Sequence, residues 1–373
     1  MRDPTPPICV AYRVRDGWHR LLDVNFQSDT SVVKAQWRSA MFDLESLMDH
    51  FVVELVDQDT GANIAGPFNV GKDTLYAFSL LNLVHGQRVK TVVTGVNRAN
   101  AAIDCSTNGI FVDLTPAQPA DVTSNPVSDG NSLGLGFLGE DLDYTVATRS
   151  AFVSWAPFVD PESGISHFYA WAEAPNGTLL SERVFANKFV SQWTLPIPER
   201  QHGDRYRVAV RVVNGAGNAR DFRSDAVEVD VTPPEFLTPV TFRITPSSVG
   251  LEPHIIADET AQVQLDLSVG DTESGVDRCR FALGTYPDGS DLSGVITVEA
   301  NSLGGVATTR TRGNYEICSR QGECVDIPES QHTVYETLTV SKVMNEGFPL
   351  LNGFTMFAWV SCLNAYVRVA ALL

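Results

Sequence analysis

One acidic signature occurs three times in the chain, and its spacing constrains the architecture before any local propensity does. The fullest copy is Phe158-Val-Asp-Pro-Glu-Ser-Gly-Ile165; Phe42-Asp-Leu-Glu-Ser46 precedes it and Asp271-Thr-Glu-Ser-Gly-Val276 follows it. Asp160 lies 117 residues after Asp43, Asn214 lies 117 after Asn97, Asp230 lies 117 after Asp113, and Trp155 lies 118 after Trp37. The third copy is looser. Asp271 follows Asp160 by 111 residues but Asn364 follows Asn214 by 150, so an insertion falls between its signature and its final strand. A chain of 373 residues spaced in this way predicts three units, 1–114, 115–231 and 232–373, each long enough to enclose a core. The third is expected to carry the insertion and to lack its final strand.

Within each unit the periodicity is that of strands. The positions six, eight and ten residues after the signature glutamate are Phe51, Val53 and Leu55, then Phe168, Ala170 and Ala172, then Cys279, Phe281 and Leu283. Apolar residues at every second position put one face of a strand in a core. A second alternating run, Tyr206, Val208, Val210 and Val212, approaches Asn214; Met356, Ala358, Val360 and Cys362 approach Asn364. Units are joined by Asp-x-Thr-Pro segments at Asp113 and Asp230, where proline withholds a backbone donor and ends a strand. Asp16-Gly17 and Asp129-Gly130 read as turns. Leu44 to Met48 could pass for a helical turn, but the equivalent stretches of the other copies contain glycine, at Gly164 and Gly275. Short strands punctuated by turns predict an all-β fold, an elongated array of antiparallel β-sandwiches.

Composition bears on function. A hydrophobic content of 43% with 19% charged residues is that of folded domains. The net charge of −18 opposes a phosphate backbone, which argues against nucleic-acid partners, and no apolar run is long enough to span a membrane as a helix. Six cysteines fall as Cys9 and Cys105 in the first unit, none in the second, and Cys279, Cys318, Cys324 and Cys362 in the third. Even counts per unit are those of disulfides closed within units, hence an oxidising compartment, with unrelated cytosolic thiols as the alternative. A secretory leader is expected ahead of such a chain. The sequence opens instead on Met1-Arg-Asp-Pro-Thr-Pro-Pro7, a match to the linkers, so it reads as an excerpt of a longer protein.

The pattern resembles the fibronectin type III and immunoglobulin-like sandwich repeats of large extracellular proteins. More narrowly, the Asp-x-Thr-Pro-Pro linker, the Phe-x-Asp-Pro-Glu-Ser-Gly-Ile signature and the Ala-Leu-Gly-Thr-x-Pro-x-Gly run from Ala282 to Gly289 are similar to repeat arrays in surface proteins of algae and protists, flagellar-hair (mastigoneme) proteins among them. The resemblance covers nearly the whole chain. It departs from the pattern at Leu47, which stands where the glycine belongs, and at Asp266, which stands near the expected third tryptophan.

That topology implies that the linker aspartate, the signature and the asparagine converge at each junction. Asp113, Asp160, Glu162 and Asn214 would meet at one, and Asp230, Asp271, Glu273 and Asn364 at the next. Such hard oxygen ligands suit Ca²⁺, while the bland alternative is turn chemistry, with aspartates capping local amides and glycine supplying a positive φ. The same topology pairs the strands that carry Cys279 and Cys362, predicting a bridge between them; Cys318 and Cys324 would close a small loop in the insertion, and Cys9 and Cys105 would tie the start of the first unit to its exit. Asn176-Gly-Thr178 is a glycosylation sequon. Gly134 to Gly139 matches G-x-G-x-x-G, but it lies in an early loop of a β-unit, not between a strand and a helix N-terminus. The seven histidines are scattered, and no catalytic signature such as G-x-S-x-G or H-E-x-x-H is present.

These features predict a non-enzymatic extracellular structural protein, a segment of a rod-like array in a cell-surface or flagellar filament. Its expected partners are further copies of itself or other filament proteins. The alternatives are an adhesion or glycan-binding module that uses loops such as the insertion from Asn301 to Gly347, and an accessory region of a secreted carbohydrate-active enzyme.

Overall fold

A computed structural model describes residues 5–19, 21–121, 125–130, 141–246, 261–291, 293–300, 306–311, 315–318, 324–327, 331–344, 357–364 and 368–372. The protein is all-β and forms tandem β-sandwiches; among the described residues the helical content is one 3₁₀ turn at Ala11–Arg13. Gly134 to Gly139 lies outside the described residues.

The alternating runs of the sequence are the central strands. In the first unit Met48–Asp57 pairs antiparallel with Arg88–Asn97, and in the second Ile165–Glu173 pairs with Arg205–Asn214. In the third, Arg278–Gly284 pairs with Phe357–Leu363. The facing sheet of the first unit runs Arg15–Asp16, Val33–Gln36, Leu75–Phe78; that of the second runs Val127–Ser128, Ser150–Trp155, Gln192–Pro196. In the third, Ala261–Gly270 pairs with Gln331–Met344 in the same role. In the first two units a short strand near the start runs parallel to the end of the last strand: Phe26–Gln27 on Ile110–Val112, and Tyr144–Thr145 on Val227–Val229.

Each pair of sheets closes on its own core. Trp37, Phe51, Val53, Leu55 and Phe78 fill the first, and Trp155, Phe168, Val210, Tyr206 and Phe222 fill the second. Leu265, Leu267, Phe281, Val360 and the Cys279–Cys362 disulfide fill the third. Full burial of a side chain of this size contributes roughly 1.5–3 kcal/mol. Leu265 and Leu267 alternate with half-buried Asp266, so leucines take the volume that Trp37 and Trp155 take elsewhere. Cys9 and Cys105 form a second disulfide, which ties the first strand of the first unit to its last sheet. The backbone sets Cys318 opposite Cys324 in a hairpin, though their sulfurs lie outside the described residues.

One strand passes unread and one expectation needs correction. After Asn364, Arg368–Leu372 lies antiparallel to Phe357–Leu363, the counterpart of Ala219–Arg223 in the second unit and not of that unit's final strand, Val227–Val229. Its alternation, Arg-Val-Ala-Ala-Leu, is weak beside the stronger runs upstream, which is why it passes unnoticed in the sequence. The units are also joined by more than proline linkers. The insertion of the third unit folds Tyr315–Cys318 and Cys324–Ile327 into a hairpin, and Tyr315–Cys318 then pairs with Ala219–Arg223 of the second unit, Asp221 opposite Cys318 and Phe222 opposite Ile317.

Candidate functional site: an asparagine clasp at the start of each unit

The acidic signature is a tight turn built by its aspartate. Asp160 Oδ1 accepts the amides of Ser163 (2.8 Å) and Gly164 (3.2 Å). Asp43 Oδ1 accepts Glu45 and Ser46, and Asp271 Oδ1 accepts Glu273, Ser274 and Gly275. The turn needs a left-handed residue, supplied by Gly164 (φ 67°) and Gly275 (φ 76°). In the first unit Leu47 takes the same conformation (φ 66°), at a steric cost of about 1–2 kcal/mol.

With one oxygen committed to the turn, each signature aspartate turns the other toward the asparagine. Asn214 Nδ2 donates to Asp160 Oδ2 (3.0 Å), to Asp113 Oδ2 (2.9 Å) and to the Thr115 carbonyl (2.8 Å). Asn364 Nδ2 reaches Asp271 Oδ2 (3.0 Å), Asp230 Oδ2 (3.4 Å) and the Thr232 carbonyl (3.2 Å). Asn97 Nδ2 does the same with Asp43 Oδ2 (2.9 Å) and the Thr5 carbonyl (3.0 Å). The other end of the asparagine is fixed as well: Asn214 Oδ1 accepts the amides of Ala216 (3.1 Å) and Asn218 (2.8 Å). The linker aspartates divide their oxygens likewise. Asp113 Oδ1 accepts the amide and hydroxyl of Thr115, each at 2.9 Å, and Asp230 Oδ1 accepts those of Thr232.

The structure therefore brings Asp113, Asp160 and Asn214 together, and separately Asp230, Asp271 and Asn364. Glu162 makes no hydrogen bond to the first set, and Glu273 joins the second through its backbone amide. Asn97, Asn214 and Asn364 are almost wholly buried, as are Asp113 and Asp230. Burial, with the charge of Asp230 adding to it, holds the Asp271 carboxyl above its ordinary range. A calcium ligand would present its amide oxygen to the ion, whereas the oxygen of Asn214 is taken by backbone donors and its nitrogen faces the carboxylates. The donor set is that of a hydrogen-bonded clasp.

Several participants carry no obvious signal in the sequence. Ser163 Oγ donates to Asp113 Oδ2 (2.6 Å), and Asn218 Nδ2 donates to the Asp113 and Thr115 carbonyls (2.8 and 3.2 Å). His85 and His202, 117 residues apart, stand 3.8 and 3.5 Å from Asp113 and Asp230, so two of the histidines are not scattered but equivalent. The Asn176 sequon lies at an exposed turn, closed by a bond from the Ala174 amide to the Thr178 carbonyl (2.8 Å). Among the described residues no helix is long and apolar enough to cross a membrane.

No protein-family model matches the chain, and no curated protein matches it. Two solved structures are similar over nearly the whole length. The crystal structure of chicken CNTN1 FN1-FN3 domains is 12% identical, covers 96% of this chain and 98% of its own, and has a TM-score of 0.28. That of domains A168-A170 from titin is 12% identical, covers 97% and 94%, and has a TM-score of 0.32. At such values the sandwich assignment rests on the strand pairing and the three cores.

Proposed function

We propose that the chain is a non-enzymatic extracellular structural segment, a run of sandwiches that contributes to a cell-surface filament, with a flagellar hair of the mastigoneme kind as the specific placement. The observation that carries this reading is the threefold clasp. The recurring carboxylates are spent on joining each unit to the linker that precedes it, and a catalytic constellation would have no reason to recur once per unit. Disulfides within the first and third units suit an oxidising compartment. The partners are other copies of the chain or other filament proteins.

A second reading has an observation of its own. On the second unit Phe185 (57% exposed) packs against His167 and Tyr169, with ring centroids 5.2 and 5.9 Å apart, and such an aromatic surface suits a glycan-binding adhesion module. Solution scattering and electron micrographs across a concentration series separate the two. End-to-end or lateral assembly is the expected result, while a monomeric particle retained on immobilised glycans would replace the filament reading with the adhesion one.

A further inference from the structure

A different carboxylate cluster lies at one flank of the second sandwich, away from the clasp. Asp129 ends the strand Val127–Ser128, and Asp141 sits just before Tyr144–Thr145. Asp225 occupies the break in the last strand between Ala219–Arg223 and Val227–Val229. One carboxylate oxygen from each of the three lies within 4.8 Å of the others. Asp129 and Asp225 are buried, 2% and 6% exposed. Asp129 Oδ1 accepts the Leu142 amide (2.9 Å) and the Ser224 hydroxyl stands beside the same carboxylate, yet Asp129 Oδ2 is buried with no hydrogen-bond partner. A carboxylate oxygen out of water and without a donor costs on the order of 1–3 kcal/mol, more if charged. Burial and the charges of Asp141 and Asp225 accordingly push the Asp129 carboxyl well above its ordinary range.

The same arrangement recurs in the first unit, which makes it a feature of the repeat. Asp16 ends the strand Arg15–Asp16, its backbone amide donates to Asp23 (2.8 Å), and Gly109 at the break in the last strand donates to Asp16 Oδ2 (3.1 Å). Asp16 is fully buried, and its Oδ1 likewise has no partner. Burial, with Asp23 adding to it, pushes its carboxyl up to about 7. The third position differs. Where the second unit has Ser224-Asp225, the first has Thr107-Asn108 at 117 residues' distance, and the Asn108 side chain is an exposed neutral amide that donates to Asn25 Oδ1 (2.8 Å) where the second unit has a buried carboxylate.

We propose that the second unit binds a divalent cation of the calcium class between Asp129, Asp141 and Asp225, and that the first unit, with Asn108 in the third position, binds it weakly or not at all. Calcium takes oxygen ligands at about 2.3–2.6 Å, so oxygens within 4.8 Å of one another fit one coordination sphere. Its tolerance of irregular geometry suits ligands drawn from three separate segments better than the near-octahedral demand of magnesium does. Bound there, the ion pins the segment before Tyr144 to the break in the last strand. This site is distinct from the clasp and does not depend on where the array resides.

Titration of the full chain with calcium chloride after chelation, read by calorimetry and by thermal melting, tests the assignment. The expected result is saturable binding of about one ion per chain, with Kd on the order of 10⁻⁴–10⁻³ M, and a melting temperature that rises through the same range. Asp225→Asn, which copies the first unit, lowers the affinity at least tenfold; Asp141→Asn, in a less buried segment, does the same and carries the test should Asp225→Asn fail to fold by circular dichroism. Asp160→Asn, in the clasp, leaves the binding unchanged. No saturable binding up to about 10 mM, or equal affinity in wild type and the Asp141 and Asp225 variants, would overturn the site.

Discussion

The two junctions that link the three units use the same residues and hold differently. At the first, Asn214 lies 2.9 Å from Asp113, the Ser163 hydroxyl adds a bond of 2.6 Å to the same carboxylate, and Asn218 ties the linker carbonyls. At the second, Asn364 lies 3.4 Å from Asp230, and the hydroxyl of Ser274, the counterpart of Ser163, is buried without a partner. The counterpart of Asn218 is Arg368. What the second junction lacks in polar closure it gains in backbone pairing, because the hairpin of Tyr315–Cys318 extends the sheet of the second unit. A repeat can thus conserve a linking motif while shifting its work to another element wherever an insertion makes that element available.

The comparison can be broken most directly at the asparagines. Asn214→Ala removes the amide donor that buried Asp113 and half-buried Asp160 share, leaves the Ser163 hydroxyl as the donor still present beside them, and uncaps its own turn. It should cost about 3 kcal/mol in denaturant unfolding of the second unit. Asn364→Ala should cost about half as much in the third, and equal losses would show the two clasps to be equivalent. Ile317→Pro probes the compensating element. Tyr315–Cys318 is paired on both edges, so proline loses a ladder bond whichever way the Ile317 amide faces, at a cost of about 2 kcal/mol. Hydrogen exchange should quicken at 219–223 and stay unchanged at the first junction. Asn218→Ala sharpens the contrast, since losing its two bonds should weaken the first junction by about 1 kcal/mol and bring it closer to the second. The smallest effect belongs to the first clasp, where Leu47→Gly should raise the unfolding free energy by less than about 1 kcal/mol. There the relief of a strained φ outweighs the added flexibility of the unfolded chain.

Much of this was legible before any coordinates. Period-two burial at Phe51, Phe168 and Phe281 identifies the central strands because one face must enter a core, and a fixed offset of 117 residues groups Asp113, Asp160 and Asn214 as parts of one device. The direction in which an amide points was not legible. Whether Asn214 offers its nitrogen or its oxygen to the carboxylates depends on which backbone donors lie at its other end, and composition is silent on that. Asp129 shows a further gap: Asp-Gly reads as a turn whether its carboxylate faces water or lies beneath two others. The recurrence of Thr107-Asn108 as Ser224-Asp225 was the available signal. The pairing of the hairpin with a neighbouring unit left no trace, because strand periodicity reports which face is buried and not whose edge is joined.

That pairing also decides what the array can stick to. In a sandwich the outer edge of the last strand is a row of unmet amides and carbonyls, an invitation to any passing β-segment. On Ala219–Arg223 the row is taken at Asp221 and Phe222, and there the boundary of the sheet moves outward to Cys324–Ile327, four residues long with an aspartate, Asp326, among them. A short, charged rim is a poor template for adding strands, so this edge of the middle sandwich is guarded by its own neighbour's insertion.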